Sequence, residues 1–312
     1  MSLAIPPFVP LFRNPHLQTI AAHYWPRPHG EDRWPTERRI VRTAPDTEVL
    51  VESQRPEGEA RGEIVMVHGL EGSGSAGYMR SLAATVLQAG FAAHRFNLRS
   101  CGGTEALTQT LYHAGLVGDL AVLLHIMRAE GRAPAVLVGF SLGANVVLKL
   151  AGECGDDGPS LFRAACGISS PIDLEACSRR IGQFQNRIYE RRFVRRMHTR
   201  LLATGRFQAG DLAGLRSVYA IDEHITAPSF GFGTAKGYYR TQSARVFLAG
   251  ARVPVLLIQA QDDPLVPFAT FRDLPPRVRL VSPKHGGHLG FLARGRERFW
   301  ADRAVLAWIE SL

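Results

Sequence analysis

A Gly-x-Ser-x-Gly pentapeptide constrains this chain more than any other feature of its sequence. Residues 139–143 follow the apolar run 133–138 and precede a helical pattern that begins at Ala144. A buried strand, a tight turn and a helix in this order hold the serine at a helix N-terminus, where free N–H groups favour developing negative charge. Glycines suit both ends of the turn because the strand and the helix pass too closely for side chains there. We therefore predict that Ser141 is a nucleophile.

Two adjacent carboxylates are candidates for the acid that such a serine requires. The apolar run 253–260 indicates a buried strand, and Asp262 and Asp263 follow it directly. An acid at a strand end can accept a hydrogen bond from the histidine that acts as the base. We favour Asp263, because a carboxylate followed by Pro, two apolar residues and Pro is the pattern that we expect after this strand. Asp262 then faces away and caps the turn, and it stays open as the alternative.

Two histidines follow the last predicted strand, 278–282, and either can supply the base. A serine hydroxyl is a poor nucleophile until a neighbouring base takes its proton. We favour His288 over His285, because two glycines before His288 leave the loop free to turn toward the pentapeptide. The order serine, acid, histidine along the chain agrees with one known arrangement of these three groups.

The segment after the predicted strand 63–67 begins with His-Gly-Leu and is a candidate for stabilising an oxyanion. In chains of this kind one donor is the N–H of the residue after the nucleophile, here Leu142, and the second comes from this loop, where we choose Leu70. Such donors typically lower a reaction barrier by ~3–4 kcal/mol each. Three flanking residues are predicted to line the substrate site: His68, Gly69 and Phe140.

Residues 72–77 match Gly-x-Gly-x-x-Gly and lie between a predicted strand and a helix, as in dinucleotide-binding sites. A dinucleotide site also needs an acid about 20 residues further on, and no acid lies between Glu71 and Glu105. We therefore favour a flexible loop over the mouth of the site. Acyl transfer by a serine needs neither a metal nor an organic cofactor, so we predict none.

Composition indicates an ordinary globular protein, with 46% apolar and 21% charged residues and no apolar run of about 20 residues. Residues 1–10 have no basic segment of the kind that begins a secretory signal, and four cysteines show no metal or redox spacing. We expect a cytoplasmic protein with reduced thiols.

The net charge of +9 comes with 34 Arg and only 3 Lys and with no groove-reading motif, so we expect no nucleic-acid partner.

Eight arginines and a single acid, Glu190, lie between residues 179 and 200, with apolar residues at helical spacing. We favour a solvated helix face packed by its apolar side. The alternative is a basic amphipathic lid that makes weak contact with an anionic membrane surface.

The alternation of strands and helices from 62 to 170 predicts a mostly parallel sheet. We expect helices at 78–88, 116–130 and 142–152, and an antiparallel hairpin at 39–43 and 48–54. The pattern breaks after residue 171. We assign residues 172–243 to a helical cap, with a mobile loop at 227–233, and residues 1–171 and 244–312 to the core, with an N-terminal arm at 1–38.

These motifs resemble the YheT-like branch of the α/β-hydrolase superfamily over nearly the whole chain. The resemblance rests on seven segments: 13–19, 68–70, 97–103, 111–115, 139–145, 262–264 and 285–288. It implies an α/β-hydrolase fold, a mostly parallel doubly wound sheet with a helical cap, and a triad of Ser141, Asp263 and His288. One departure is Glu71, where such chains often carry Gly, and a carboxylate there disfavours phospholipid headgroups.

The resemblance also implies activity on short- to medium-chain acyl esters. The leading hypothesis is a serine carboxylesterase that acts on a small acyl ester. The alternative is an acylglycerol lipase or phospholipase that acts at lipid interfaces. A third hypothesis is a binding module that keeps the fold without catalysis. The sequence leaves the oligomeric state open.

Overall fold

The computed structural model describes residues 5–30 and 32–312, and a single eight-stranded sheet dominates this part of the chain. Residues 1–4 and 31 of the N-terminal arm predicted at 1–38 lie outside the described residues. The strand order across the sheet is β1-β2-β4-β3-β5-β6-β7-β8. In chain order the strands are β1 (Glu37–Ala44), β2 (Thr47–Gln54), β3 (Glu63–Val67), β4 (Ala92–Phe96), β5 (Ala135–Phe140), β6 (Phe162–Ile168), β7 (Val255–Ile258) and β8 (Val278–Val281).

Strands β3 to β8 pair in parallel, whereas β1 and β2 form an antiparallel hairpin whose second strand pairs antiparallel to β4. The predicted hairpin and the mostly parallel sheet are therefore confirmed. The strand order reverses beside β3, which has β4 on one side and β5 on the other. The carboxyl ends of strands at such a switch point form a crevice that commonly holds ligands.

Helices cover both faces of the sheet, as a doubly wound fold requires. The α-helices are α1 (Pro15–Tyr24), α2 (Gly77–Gln88), α3 (Gly118–Ala129), α4 (Leu142–Glu153), α5 (Gly158–Leu161), α6 (Leu174–Ile181), α7 (Arg187–Ala203), α8 (Val218–Ile221), α9 (Ala227–Ser229), α10 (Ala235–Gln242) and α11 (Trp300–Ile309). A π-helical turn spans Asp222–Thr226, and 3₁₀ turns span Gly155–Asp157, Phe184–Asn186, Ala244–Val246, Leu248–Gly250 and Phe268–Phe271.

The alternation of side chains along the central strands divides the core into two layers. In β3, Val65 and Val67 belong to the layer that includes α3 and α4, whereas Ile64 and Met66 belong to the layer that includes α2 and α11. All four side chains are fully buried. Burial on both faces explains why these strands are continuous apolar runs in the sequence.

The insertion, which we define as residues 172–243, lies between β6 and β7 and contains α6 to α10. Its apolar side chains form clusters that also include residues of the core, and one of them joins Met197, Leu201 and Ile221 of α7 and α8 to Leu111. The mobile loop expected at 227–233 is only partly a loop. Its first three residues form α9, with Ala227 fully buried and a proline in the first turn, where a missing N–H costs nothing.

Candidate active site

Ser141 lies at the sharp turn between β5 and α4, at the carboxyl end of the sheet. Its backbone has φ +50° and ψ −122°, a strained conformation for a residue with a side chain. A Cβ on Gly139 would lie 2.3 Å from the Gly143 carbonyl oxygen, and one on Gly143 would lie 2.4 Å from the His68 carbonyl oxygen. Both neighbours are backbone atoms that cannot move aside, so only glycine fits at either position.

His288 links the serine to a carboxylate. Its Nε2 lies 2.9 Å from Ser141 Oγ, and its Nδ1 lies 2.9 Å from Asp263 Oδ2. Since a carboxylate can only accept, Nδ1 carries the proton in this pair, which leaves Nε2 free to accept the serine proton. The three side chains predicted from the sequence are therefore joined in series, with His288 hydrogen-bonded to both Ser141 and Asp263.

Asp263 is held by backbone groups that the Asp-Pro-x-x-Pro pattern supplies. Its Oδ1 accepts the N–H groups of Leu265 at 2.9 Å and Val266 at 3.0 Å, and its Oδ2 accepts Gln259 Nε2 at 3.0 Å. The prolines on either side of this pair have no N–H to offer. The carboxylate is buried, and its orientation toward His288 is fixed by three donors besides the imidazole.

The two alternative residues pair with each other instead. Asp262 Oδ2 lies 3.2 Å from His285 Nδ1, and Asp262 Oδ1 accepts the Gly287 N–H at 3.0 Å. Asp262 therefore braces the loop that carries His288, and the structure does not bring His285 to Ser141.

Helix α1 of the N-terminal segment also braces this loop, which reasoning about the triad alone missed. Thr19 Oγ1 accepts the His288 N–H at 2.9 Å. The Gln18 side chain donates to the Leu292 carbonyl at 3.0 Å and accepts the Leu292 N–H at 3.2 Å. The only sequence signal for this role was segment 13–19 among the motifs that carry the resemblance.

The loop after β3 passes directly beside the serine. A Cβ on Gly69 would lie 3.0 Å from Ser141 Cβ and 3.6 Å from Ser141 Oγ. Within the described part of the chain, the N–H groups of Leu70 and Leu142 donate to no protein acceptor. Two free N–H groups beside a nucleophile are what an oxyanion hole needs.

Glu71 follows Leu70 with φ +54°, and its buried carboxylate is neutralised by the insertion. Arg200 Nε of α7 donates to both carboxylate oxygens, at 2.9 and 3.0 Å, and the Tyr112 hydroxyl donates to Oε1 at 2.9 Å. Because Arg200 neutralises the Glu71 carboxylate, the expectation that Glu71 repels anionic substrates is wrong.

His68 and Phe140, both predicted to contact substrate, lie in the core. His68 Nδ1 donates to the Gly69 carbonyl at 2.8 Å, and its Nε2 accepts the Leu98 N–H at 3.1 Å. Burial lowers the pKa of His68 to about 4, so the ring is neutral and shapes the loop. Phe140 packs on Tyr78 with ring centroids 4.7 Å apart. Of the three residues, only Gly69 lines a cavity that reaches Ser141.

Residues 63–294 match the family model described as alpha/beta hydrolase fold. The chain is also 30% identical to the putative esterase YheT of Escherichia coli, over 97% of this chain and 93% of that protein. The chain belongs to the α/β-hydrolase family. The resemblance to its YheT-like branch is thereby confirmed.

Other relatives of this α/β hydrolase are named as lipases. The monoacylglycerol lipase of Saccharomyces cerevisiae is 28% identical over 78% of this chain and 58% of its own. The phospholipase ABHD3 of Mus musculus is 25% identical over 82% and 65%. The chain thus spans less than two thirds of each. The fold matches that of the Pyrococcus furiosus esterase Pf2001, with a TM-score of 0.59 and 15% identity over 92% and 98% of the two chains. The protein is therefore an enzyme, an α/β hydrolase of the esterase and lipase type.

Two cavities of the α/β hydrolase meet at Ser141, His288, Leu70, Phe193 and Leu265. The first, which we call the apolar cavity, has a volume of about 90 Å³ and runs under the insertion. Most of its remaining walls are apolar side chains, including Leu142, Leu174, Ile181, Met197, Val218 and Val266.

The second, which we call the arginine cleft, has a volume of about 460 Å³ and opens between α1 and α7. Its polar walls come from residues of both helices, from Arg27, from the loop that follows β3 and from the start of α2. They include His23, Arg27, Tyr78, Tyr189, Arg192 and Arg196.

In residues 5–30 and 32–312 of the hydrolase, no group of three or more His, Cys, Asp or Glu side chains is placed to hold a metal ion. No helix of this part combines the length and apolar character needed to cross a bilayer.

Proposed function

We propose that this protein is a serine carboxylesterase that hydrolyses short- to medium-chain acyl esters. The observation that carries the proposal is the hydrogen-bonded series from Ser141 Oγ through His288 to Asp263 at the carboxyl end of the sheet. The naming of a relative as a putative esterase supports the same reaction class.

The geometry suits a two-step acyl transfer. His288 Nε2 takes the proton of Ser141 as Oγ attacks the ester carbonyl, and Asp263 stabilises the imidazolium. The Leu70 and Leu142 N–H groups hold the oxyanion. His288 then gives the proton to the leaving alcohol, which departs and leaves an acyl-serine. A water molecule that loses its proton to His288 releases the acid and restores Ser141.

We assign the two cavities to the two halves of the ester. The apolar cavity suits the acyl chain because burial of apolar surface is favourable there. The arginine cleft is left for the alcohol half. In this proposal the insertion is a cap, since α6, α7 and α8 supply walls of the apolar cavity.

The test is turnover of p-nitrophenyl butyrate by the wild type and by Ser141→Ala. We expect Ser141→Ala to lose ~10⁴-fold or more in kcat, since residual catalysis by binding alone is small. A fluorophosphonate probe should label the wild type at Ser141. Undiminished turnover by the variant, or labelling elsewhere, would remove the proposal.

A lipase acting at a lipid surface is the second candidate, favoured by apolar side chains exposed around the arginine cleft. Ile188 is 69% and Tyr24 is 71% exposed, and both line the cleft beside its arginines. Co-sedimentation with anionic vesicles, together with a rate gain on emulsified over dissolved substrate, would support this candidate. Absence of both would exclude it.

A further inference from the structure

The arginine cleft has one sign of charge over its whole described lining. Arg27, Arg192 and Arg196 line it, and among the lining residues that the structure describes there is no Asp or Glu. Guanidinium groups stay protonated at any physiological pH, so the cleft is cationic whenever the enzyme works. A concave site with charges of one sign concentrates the potential and attracts ions of the other sign.

Arg192 and Arg196 form no ion pair with any residue that the structure describes, whereas Arg27 interacts with the buried carboxylate of Asp302. Arg192 Nη2 contacts the neutral acceptor His23 Nε2 at 2.7 Å, and Arg27 lies over the Phe299 ring, 4.3 Å from its centroid. Arg196 makes no hydrogen bond or ion pair with any residue that the structure describes. Burial lowers the pKa of the His23 imidazole, and the positive charges of Arg192, Arg196 and Arg27 lower that pKa further.

Two buried carboxylates close to residues of the cleft already have hydrogen-bond partners in the protein. Glu71, beside the cleft, is bound by Arg200 and Tyr112. Asp302 accepts the Ser81 hydroxyl, and burial raises its pKa to about 6, although Arg27 opposes that rise. Among the described residues, Arg192 and Arg196 therefore have no carboxylate partner, and their charges are available to an anionic ligand.

We propose that the alcohol half of the natural substrate carries an anionic group, a carboxylate or a phosphate, which Arg192 and Arg196 bind in the arginine cleft. This inference rests on the proposed esterase function. Residues 192 and 196 are one helical turn apart on α7, so both side chains can reach one anion. Arginine suits either group because its planar fork matches carboxylate and phosphate oxygens. The anion itself undergoes no chemistry and leaves with the alcohol.

The test compares para-butyryloxybenzoate with its methyl ester, which share the acyl group and differ in one charge. At about 10 mM salt we expect kcat/KM of the wild type to favour the carboxylate by roughly fivefold or more, and about 0.5 M salt to erase most of that preference. Arg192→Gln and Arg196→Gln should each lower the ratio of the two kcat/KM values by roughly three- to tenfold.

Arg195→Gln is the matched control, because Arg195 is an exposed residue of the same helix that lines neither cavity. It should leave the ratio unchanged. Equal kcat/KM for the two esters, or an equal effect of Arg195→Gln and Arg196→Gln, would overturn the inference. The esterase proposal is tested separately by Ser141→Ala on the uncharged ester, so the two can fail independently.

The anion belongs either to a dissolved ester or to a lipid headgroup. A comparison of kcat/KM for octanoylglycerol phosphate and for neutral octanoylglycerol distinguishes these two sources. A preference for the phosphate in dilute solution indicates a dissolved ester. A preference that emerges only in phosphatidylcholine vesicles indicates a lipid headgroup. No preference in either form contradicts an anion site in the cleft.

Discussion

The sheet side and the insertion side of the site hold their polar groups in different ways. On the sheet side, Asp263 accepts two backbone N–H groups and His288 is fixed at its own N–H by Thr19. On the insertion side, the arginines that line the two cavities are long side chains of α7, and among the described residues only Arg200 of these has a carboxylate partner. Short side chains anchored by backbone suit a reacting geometry, whereas long flexible ones suit recognition of varied ligands.

The largest predicted effect concerns the two adjacent carboxylates, Asp262 and Asp263, which the sheet side holds differently. Asp263→Asn should lower kcat on p-nitrophenyl butyrate by ~10³–10⁴-fold, because an amide no longer stabilises the imidazolium or its tautomer. Asp262→Asn should cost less than about tenfold, since its oxygen can still accept the Gly287 N–H. Comparable losses in the two variants would show that backbone anchoring does not single out Asp263.

The second prediction concerns the buried ion pair between Glu71 of the core and Arg200 of the insertion. Glu71→Gln leaves Arg200 buried without a counter-charge and should lower the free energy of unfolding by about 3 kcal/mol. The loss should be smaller in a double variant that also carries Arg200→Met, because no charge is then left buried. Both are measured by urea unfolding.

Glu175→Gln is the matched control for that pair. Its partner Arg179 lies one turn away on α6, and the two side chains are 34% and 77% exposed. Because surface pairs of this spacing contribute about 0.3–0.5 kcal/mol, the control should hardly change the unfolding curve. An equal effect of Glu71→Gln and Glu175→Gln would contradict a buried clamp between Glu71 and α7.

The smallest predicted effect tests the contact between the insertion and the core at His113. This ring packs edge-on to Phe230 and Phe232, and burial, aided by Lys149 and Arg99, lowers its pKa to about 3. The folded state then binds fewer protons than the unfolded state below pH ~6.5, so stability falls as pH falls toward about 3.

His113→Asn should therefore lose about 1–2 kcal/mol less stability than the wild type between about pH 7 and pH 5, measured by urea unfolding. His125→Asn, at an exposed position of α3, should keep the pH dependence of the wild type. If His113→Asn lost as much free energy of unfolding on acidification as the wild type does, the pH dependence would not arise from His113.

The sequence predicted the sheet side better than the insertion side, for physical reasons. Strands buried on both faces are continuous apolar runs, and the glycines beside Ser141 reflect a steric limit that is local in sequence. The effect of Glu71 was predicted wrongly because its partner Arg200 lies 129 residues away, and no local pattern encodes that pairing. The sequence showed that Arg192 and Arg196 belong to an arginine-rich helix, but the cavity that they line depends on how α7 packs against the rest of the protein.

The central claim is that Ser141 and His288 act as one unit, and a double-mutant cycle in kcat tests it most directly. Ser141→Ala, His288→Ala and the double variant would be compared on p-nitrophenyl butyrate. The account predicts that all three fall to nearly the same residual rate, since each removes the whole nucleophile. If the losses of the two single variants multiply in the double variant, the two side chains act independently, and the proposed triad is contradicted.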